Sequence, residues 1–276
     1  MKYFSQLLFL IAFLTYAAAT VAYLLHFFRD KQVWTNRGGT VLRFGLAAHF
    51  IATAMLGVAH GAIPVTNSYE SLNLLALLVV VTFVVVSRRY AVPVLGAFVS
   101  PLVAVTLAAA MAFGSFDGVV PEVLRSAWFP VHLTFAMAAH AFFAVAGIAS
   151  IAYLIQENML RQKNIGVVFK KLPPLHVLDE IGHRLVVLGW ASLTIGMVAG
   201  IFFAKQKWGA YWQWDPKQIW VLATWLLFAG VLHARITVGW HGRRVVLLTL
   251  VTVMIVLVAA VSLETVFTSR HSGEYT

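Results

Sequence analysis

Cysteine is absent from the 276 residues, and charge is scarce: charged side chains make up 11% of the chain, with 10 acids against 20 Lys and Arg. Without cysteine there is no disulfide framework, no thiolate metal site and no thiol redox chemistry, so any sulfur chemistry belongs to a partner. A soluble domain has about a quarter of its residues charged, which excludes that class here. Internal repeats and low-complexity tracts are also missing, and nothing resembles the nucleophile and base pair of a soluble hydrolase.

Apolar surface takes their place. Hydrophobic residues reach 61%, and a hydrocarbon layer about 30 Å thick requires roughly 20 of them per helical span. Eight runs meet that measure, at 4–27, 41–62, 71–87, 92–113, 130–154, 185–203, 218–238 and 245–267. The sequence therefore predicts an all-α fold, a polytopic membrane bundle of about eight transmembrane helices forming one domain over 1–276, with both termini on one side. The first run is too long for a signal h-region and lacks a basic leader, so it reads as a retained span.

The formal charge of +10 is a matter of topology. Fourteen of the 20 Lys and Arg fall in the connections 28–44, 87–89, 155–184 and 235–244. By the positive-inside rule that face is cytoplasmic, which puts both termini and the opposite loops outside. Nucleic acid is not an expected partner; membrane lipid is. The longest connection, 155–184, is interrupted by Pro173-Pro174 and reads as a surface helix and a turn.

Four of the 9 tryptophans crowd into one external stretch, Trp208-Gly209-Ala210-Tyr211-Trp212-Gln213-Trp214-Asp215-Pro216-Lys217-Gln218-Ile219-Trp220. An interfacial aromatic belt accounts for one or two such residues. Trp208, Trp212, Trp214 and Trp220 together call for a flat aromatic partner, and the segment 204–220 is the candidate binding loop. Asp215 is a favoured N-cap, Pro216 a favoured N1 residue, and Gln218 sits at N3 as in a capping box. The cap sets where the seventh span begins and holds the loop at a defined height.

The 10 histidines are many for so apolar a chain, since a buried imidazole in lipid needs a partner, a proton path or a metal. His132 opens the fifth span on the external face, and His271 lies just past the eighth, also outside. His233 is about fifteen residues into the seventh span, roughly 22 Å below the outer surface. His49 and His140 are intramembrane. One at a time, such residues are mostly structural. Taken with the aromatic shelf, two external histidines from distant parts of the chain match bis-imidazole ligation of a haem iron over indole faces.

The loop Trp208–Lys217 resembles the signature of the WWD family of haem-handling membrane proteins of cytochrome c maturation. Leu232-His233-Ala234-Arg235, Gly239-Trp240, Leu178-Asp179-Glu180-Ile181, Pro64–Leu72 and His132-Leu133 are similar to its CcsA (ResC) branch, of the System II pathway. The resemblance implies that haem b is the transported substrate, that His132 and His271 are axial ligands at an external site, and that His233 ligates haem at an inner site. Trp208, Gly209, Tyr211, Trp212, Trp214, Asp215 and Trp220 would form the haem-binding loop. It implies a CcsB/ResB-like membrane partner supplying the other inner ligand, an apocytochrome c with Cys-x-x-Cys-His as acceptor, and a role as subunit of a cytochrome c synthase of the haem lyase type in the cytoplasmic membrane. The family carries Glu where this chain has Gln218. Two other readings are a HemX-type haem-linked regulator without ligation activity, and a transporter whose histidines relay protons between helices loosened by Gly57, Gly61, Gly196 and Gly200.

Overall fold

A computed structural model describes residues 2–29, 32–65, 67–113, 126–163 and 166–266. Among them the regular structure is helical, with no strand: α1 (Lys2–Arg29), α2 (Gln32–His60), α3 (Ser68–Tyr90), a 3-10 turn at Pro93–Leu95, α4 (Gly96–Phe113), α5 (Trp128–Arg161), the short α6 (Val167–Lys171), α7 (Leu175–Trp208), α8 (Pro216–Ile236) and α9 (Arg243–Val266). Seven of these, α1 to α5, α7 and α8, are long and apolar enough to cross a membrane. The eighth expected segment coincides with α9, which is 24 residues long. The protein is a multi-pass helical membrane bundle.

Several helices outrun the apolar runs that announce them. α2 begins at Gln32 rather than 41, α5 runs on to Arg161, and α7 begins at Leu175 and ends at Trp208. Hydropathy marks only the part of a helix inside hydrocarbon, whereas its hydrogen-bond ladder continues through the interface. Pro173 and Pro174 stand just before α7, where the missing N–H groups cost nothing. The long connection is thus the end of α5, the five residues of α6 and the first turns of α7.

Contacts divide the chain into two compact units, residues 1–120 with 151–181, and residues 121–150 with 182–276. In the first unit, α1, α2 and α4 interlock through tyrosines seated on glycines. A Cβ at Gly45 would collide with Thr15, and one at Gly96 with the Tyr23 ring. Small residues are what let helix backbones approach in a membrane, where apolar burial gives no preference for protein over lipid. α3 starts at Asn67, whose side chain accepts from Glu70 N at 2.9 Å, and ends at Ala91 in the left-handed region. His49, fully buried, has its Nδ1 3.3 Å from the Tyr16 hydroxyl. Such a contact is a structural use of an intramembrane histidine.

The second unit is built the same way with larger rings. Gly189 accommodates Phe143, and Gly147 lies against Val253. Trp225 Nε1 donates to Thr194 Oγ1 at 2.8 Å and Trp190 Nε1 to Trp225 O at 3.3 Å, so two indole N–H groups tie α7 to α8. His140 Nδ1 is 2.7 Å from the Ala136 carbonyl of its own helix, which satisfies it locally.

Candidate functional site at the tryptophan-rich loop

α7 carries its helical ladder past the apolar run to Trp208, and Gly209 then reverses the chain at φ 77°. Glycine adopts that conformation without a Cβ penalty. The Gly209 N–H donates to Lys205 O at 3.0 Å, and the Lys205 ammonium donates to Gly209 O at 2.8 Å while lying 5.3 Å over the Tyr211 ring. A lysine in the last turn complements the carbonyl end of the helix. Trp208 therefore belongs to a helix and Trp212 does not.

From Ala210 to Asp215 the chain is irregular, and α8 restarts at Pro216. Asp215 is the N-cap: its carboxylate accepts from Lys217 N at 2.9 Å. The capping box foreseen for Gln218 is not what forms. Its side-chain oxygen accepts from Gln213 N at 2.9 Å, two residues before the cap. Asp215 is extended at ψ 140°, as an N-cap residue ordinarily is, and the loop before it brings Gln213 N to the Gln218 side chain. Gln213 Nε2 reaches Trp208 O at 3.5 Å, so the two ends of the loop are braced through one residue.

Within that brace the tryptophans take different roles. Trp212 and Trp214 meet edge to face at 5.7 Å. Trp214 is 74% exposed and held at φ 57°. A bulky residue in the left-handed region costs roughly 1–3 kcal/mol and persists only where the surroundings impose it. Trp212 and Trp220 are half-buried, and each has a buried indole N–H with no hydrogen-bond acceptor among the described residues. A buried donor left unanswered is costly, and it points to an acceptor that a ligand would bring.

The Trp214 strain separates backbone from side chain. Trp214→Gly is expected to leave the thermal midpoint unchanged or slightly raised, because glycine relieves the φ penalty. The same substitution is expected to weaken capture of a flat aromatic ligand by about tenfold, the value of one stacked ring of roughly 1–1.5 kcal/mol. Differential scanning and ligand titration on one preparation check both.

His132 lies in the second turn of α5 and faces α7. Its Nδ1 is 2.8 Å from the Gly196 carbonyl. A carbonyl only accepts, so Nδ1 carries the proton and the neutral ring leaves its Nε2 lone pair available. A bond of this kind, from the ring nitrogen that does not face the metal, is how metal-ligating histidines are oriented. Nε2 has no hydrogen-bond partner among the described residues. Two glycines four apart on α7 make the slot: a Cβ at Gly200 would stand 2.6 Å from His132 Nδ1, and one at Gly196 3.0 Å from Ala136 N. The imidazole lies parallel to Phe203 at 6.5 Å, and Phe203 meets Trp208 edge-on at 6.0 Å. Trp128 stacks on Phe202 at 4.8 Å, and Ser126 Oγ donates to Gln206 Oε1 at 2.6 Å.

Of the expected site residues, His132, Trp208, Gly209, Tyr211, Trp212, Trp214, Asp215 and Trp220 all fall in the second unit, with His132 joined to Trp208 through Phe203. His271 lies outside the described residues. His233 sits in the last turn of α8, at the far end from the loop, with an exposed imidazole; its carbonyl accepts from Thr237 N and Val238 N. It is thus about 20 Å along α8 from Trp220. No cluster of three or more His, Asp or Glu able to hold a bare metal ion occurs among the described residues. Sequence reasoning missed Phe203 and the glycine slot; the available signal was small residues at Gly196 and Gly200, spaced as helix contacts in membranes are.

A family model described as Cytochrome C assembly protein matches residues 65–271, from the end of α2 through the loop and beyond α9. The chain belongs to that family. Among curated family relatives it is 30% identical over 269 residues to the cytochrome c biogenesis protein CcsA of Synechococcus sp. (strain CC9902), covering 86% of this chain and 87% of that protein. It is 30% identical over 234 residues to CcsA of Mesostigma viride, with 76% of each covered. Among solved structures, the cytochrome c haem lyase CcmF aligns with TM-score 0.68 at 16% identity over 92% of this chain. The chain spans 46% of CcmF, and at that identity the likeness is one of fold. Membership in the assembly family places this membrane bundle in cytochrome c biogenesis and makes haem handling the relevant chemistry.

Proposed function

We propose that the protein carries haem b across the cytoplasmic membrane and presents it on its external tryptophan-rich loop for thioether attachment to an apocytochrome c, working with a CcsB-like membrane partner. The observation that carries this reading is the pairing of an oriented imidazole with unanswered donors. His132 offers a neutral Nε2, and Trp212 and Trp220 offer buried N–H groups beside exposed aromatic faces. Haem has the matching parts: an iron that takes imidazole, an apolar ring for indole stacking, and carboxylates that accept from N–H donors. His271 supplies the second axial ligand, outside the described residues. The charge distribution supports an orientation with the loop and both termini outside and the lysine- and arginine-rich connections in the cytoplasm.

The chain's task is positioning. Attachment adds a cysteine S–H of the Cys-x-x-Cys-His segment across a haem vinyl group: sulfur bonds to one vinyl carbon, the hydrogen goes to the other, and no oxidant is consumed. Holding the vinyl edge against the thiol is worth several kcal/mol of barrier, and the reactive groups belong to haem and acceptor. A cysteine-free scaffold cannot attach haem to itself. His233, at the opposite end of α8 from the loop, is the ligand of an earlier inner site whose other ligand comes from the partner.

The test is the absorption spectrum of the chain purified in detergent together with its CcsB-like partner. A Soret band is expected, and a colourless complex would overturn the reading. His233→Ala is expected to remove only the inner fraction; full loading of that variant would refute the inner assignment.

A further inference from the structure

The first unit has a cavity of about 460 Å³ where α1 and α3 end and α2 begins. Its polar walls are His26, Gln32, Thr35, Tyr90, Lys170 and Lys171, and among the described residues no acidic side chain lines it. That volume is in the range of small-molecule sites. Helix ends gathered in this way mark the level at which the spans leave hydrocarbon, where lipid headgroups lie.

Thr35 is the informative residue. It is 2% exposed, and its buried hydroxyl makes no hydrogen bond among the described residues. Threonines elsewhere in the first two helices return theirs to a carbonyl four residues back, as Thr15, Thr20, Thr40 and Thr53 do. Thr35 stands in the first turn of α2. A buried donor of this kind is satisfied when an acceptor enters the cavity. Two of the carbonyls nearby are answered: Lys171 donates to His26 O, and Ala91 N and Val92 N donate to Ser87 O. The positive end of the 29-residue α2, the Lys170 ammonium and the Thr35 hydroxyl all favour an oxyanion.

We propose that this cavity binds a phosphate oxyanion, supplied by the headgroup of an anionic membrane lipid. Basic pockets between membrane helices at headgroup level recognise lipid phosphate in this manner. The site lies wholly in the first unit and does not depend on the haem reading of the loop.

Native mass spectrometry of the full chain, from micelles containing phosphatidylglycerol or phosphatidylcholine, tests it. One phosphatidylglycerol is expected to stay bound and phosphatidylcholine to leave. The Lys170→Gln/Lys171→Gln pair is expected to weaken retention about thirtyfold, from the usual value of two lysines at a membrane surface. Thr35→Val, nearly isosteric and breaking no existing hydrogen bond, is expected to weaken it about fivefold with an unchanged thermal midpoint. Loss of Lys171 also removes its bond to His26, so Thr35→Val is the arm that a folding defect does not explain. Binding of inorganic phosphate, weakened in Thr35→Val, with no lipid retained would keep the oxyanion site and overturn the lipid as its source. Equal retention of both lipids, or retention unchanged in Thr35→Val and the lysine pair, overturns the proposal.

Discussion

His132→Gly is expected to lower haem affinity at the aromatic loop by at least about 100-fold, and added imidazole is expected to restore the Soret band. Losing a residue that only orients a metal ligand already costs 10–100-fold, so losing the ligand itself costs no less. Imidazole rescue follows from the slot. Gly196 and Gly200 leave the ring's volume open, and the Gly196 carbonyl remains to orient a free imidazole as it orients His132. Glycine in α5 costs about 1 kcal/mol of helix propensity, too little to unfold a bundle of this size. A Soret band unchanged in the variant would show that His132 is not a ligand. A lost band that imidazole fails to restore, with a lowered thermal midpoint, would assign the histidine to packing.

Gly200→Val is expected to reach much the same end without touching a ligand. The added Cβ would fall 2.6 Å from His132 Nδ1 and 2.9 Å from Cε1, closer than real atoms approach. One of the two must move, and the ring is the movable part, so the Nδ1 bond to Gly196 O breaks and Nε2 swings off its line. The expected loss in haem affinity is roughly 10–100-fold, with about 1–3 kcal/mol of overpacking in stability. Gly230→Ala is the control, since nothing lies within 4 Å of a Cβ there, and alanine is the better helix former. In the doubly substituted chain, Gly200→Val is expected to add little to His132→Gly, because both act through one ring. Additive losses would mean that Gly200 serves the loop by another route.

Much of this was readable along the chain, for reasons specific to a membrane. Lipid offers backbone groups no hydrogen bonds, so a run of about 20 apolar residues is nearly obliged to be a helix. The expected spans duly fall within α1 to α5 and α7 to α9 to within a few residues, except where polar ends prolong a helix. Asp215-Pro216 announced a helix start because capping is local chemistry. Gln218 shows where locality stops: it occupies the N3 position of a capping box, yet its oxygen serves Gln213. Its acceptor was free to bond whichever N–H the loop path brought near, and that path is not written in a four-residue spacing.

The sequence by itself determined the class of molecule, the places where helices run, and the residue types gathered at one loop: indoles, a capping carboxylate and a histidine far off in the chain. These follow from solvent exclusion and local hydrogen bonding, which depend on neighbours in sequence. Only the tertiary structure decided that Gly196 and Gly200 are a socket for His132, that the ring is held as the tautomer with Nε2 open, and that Trp212 and Trp220 keep N–H groups in reserve. Those depend on which surfaces meet when helices pack, and a glycine at an interface reads the same in sequence whether it loosens a helix or seats an imidazole.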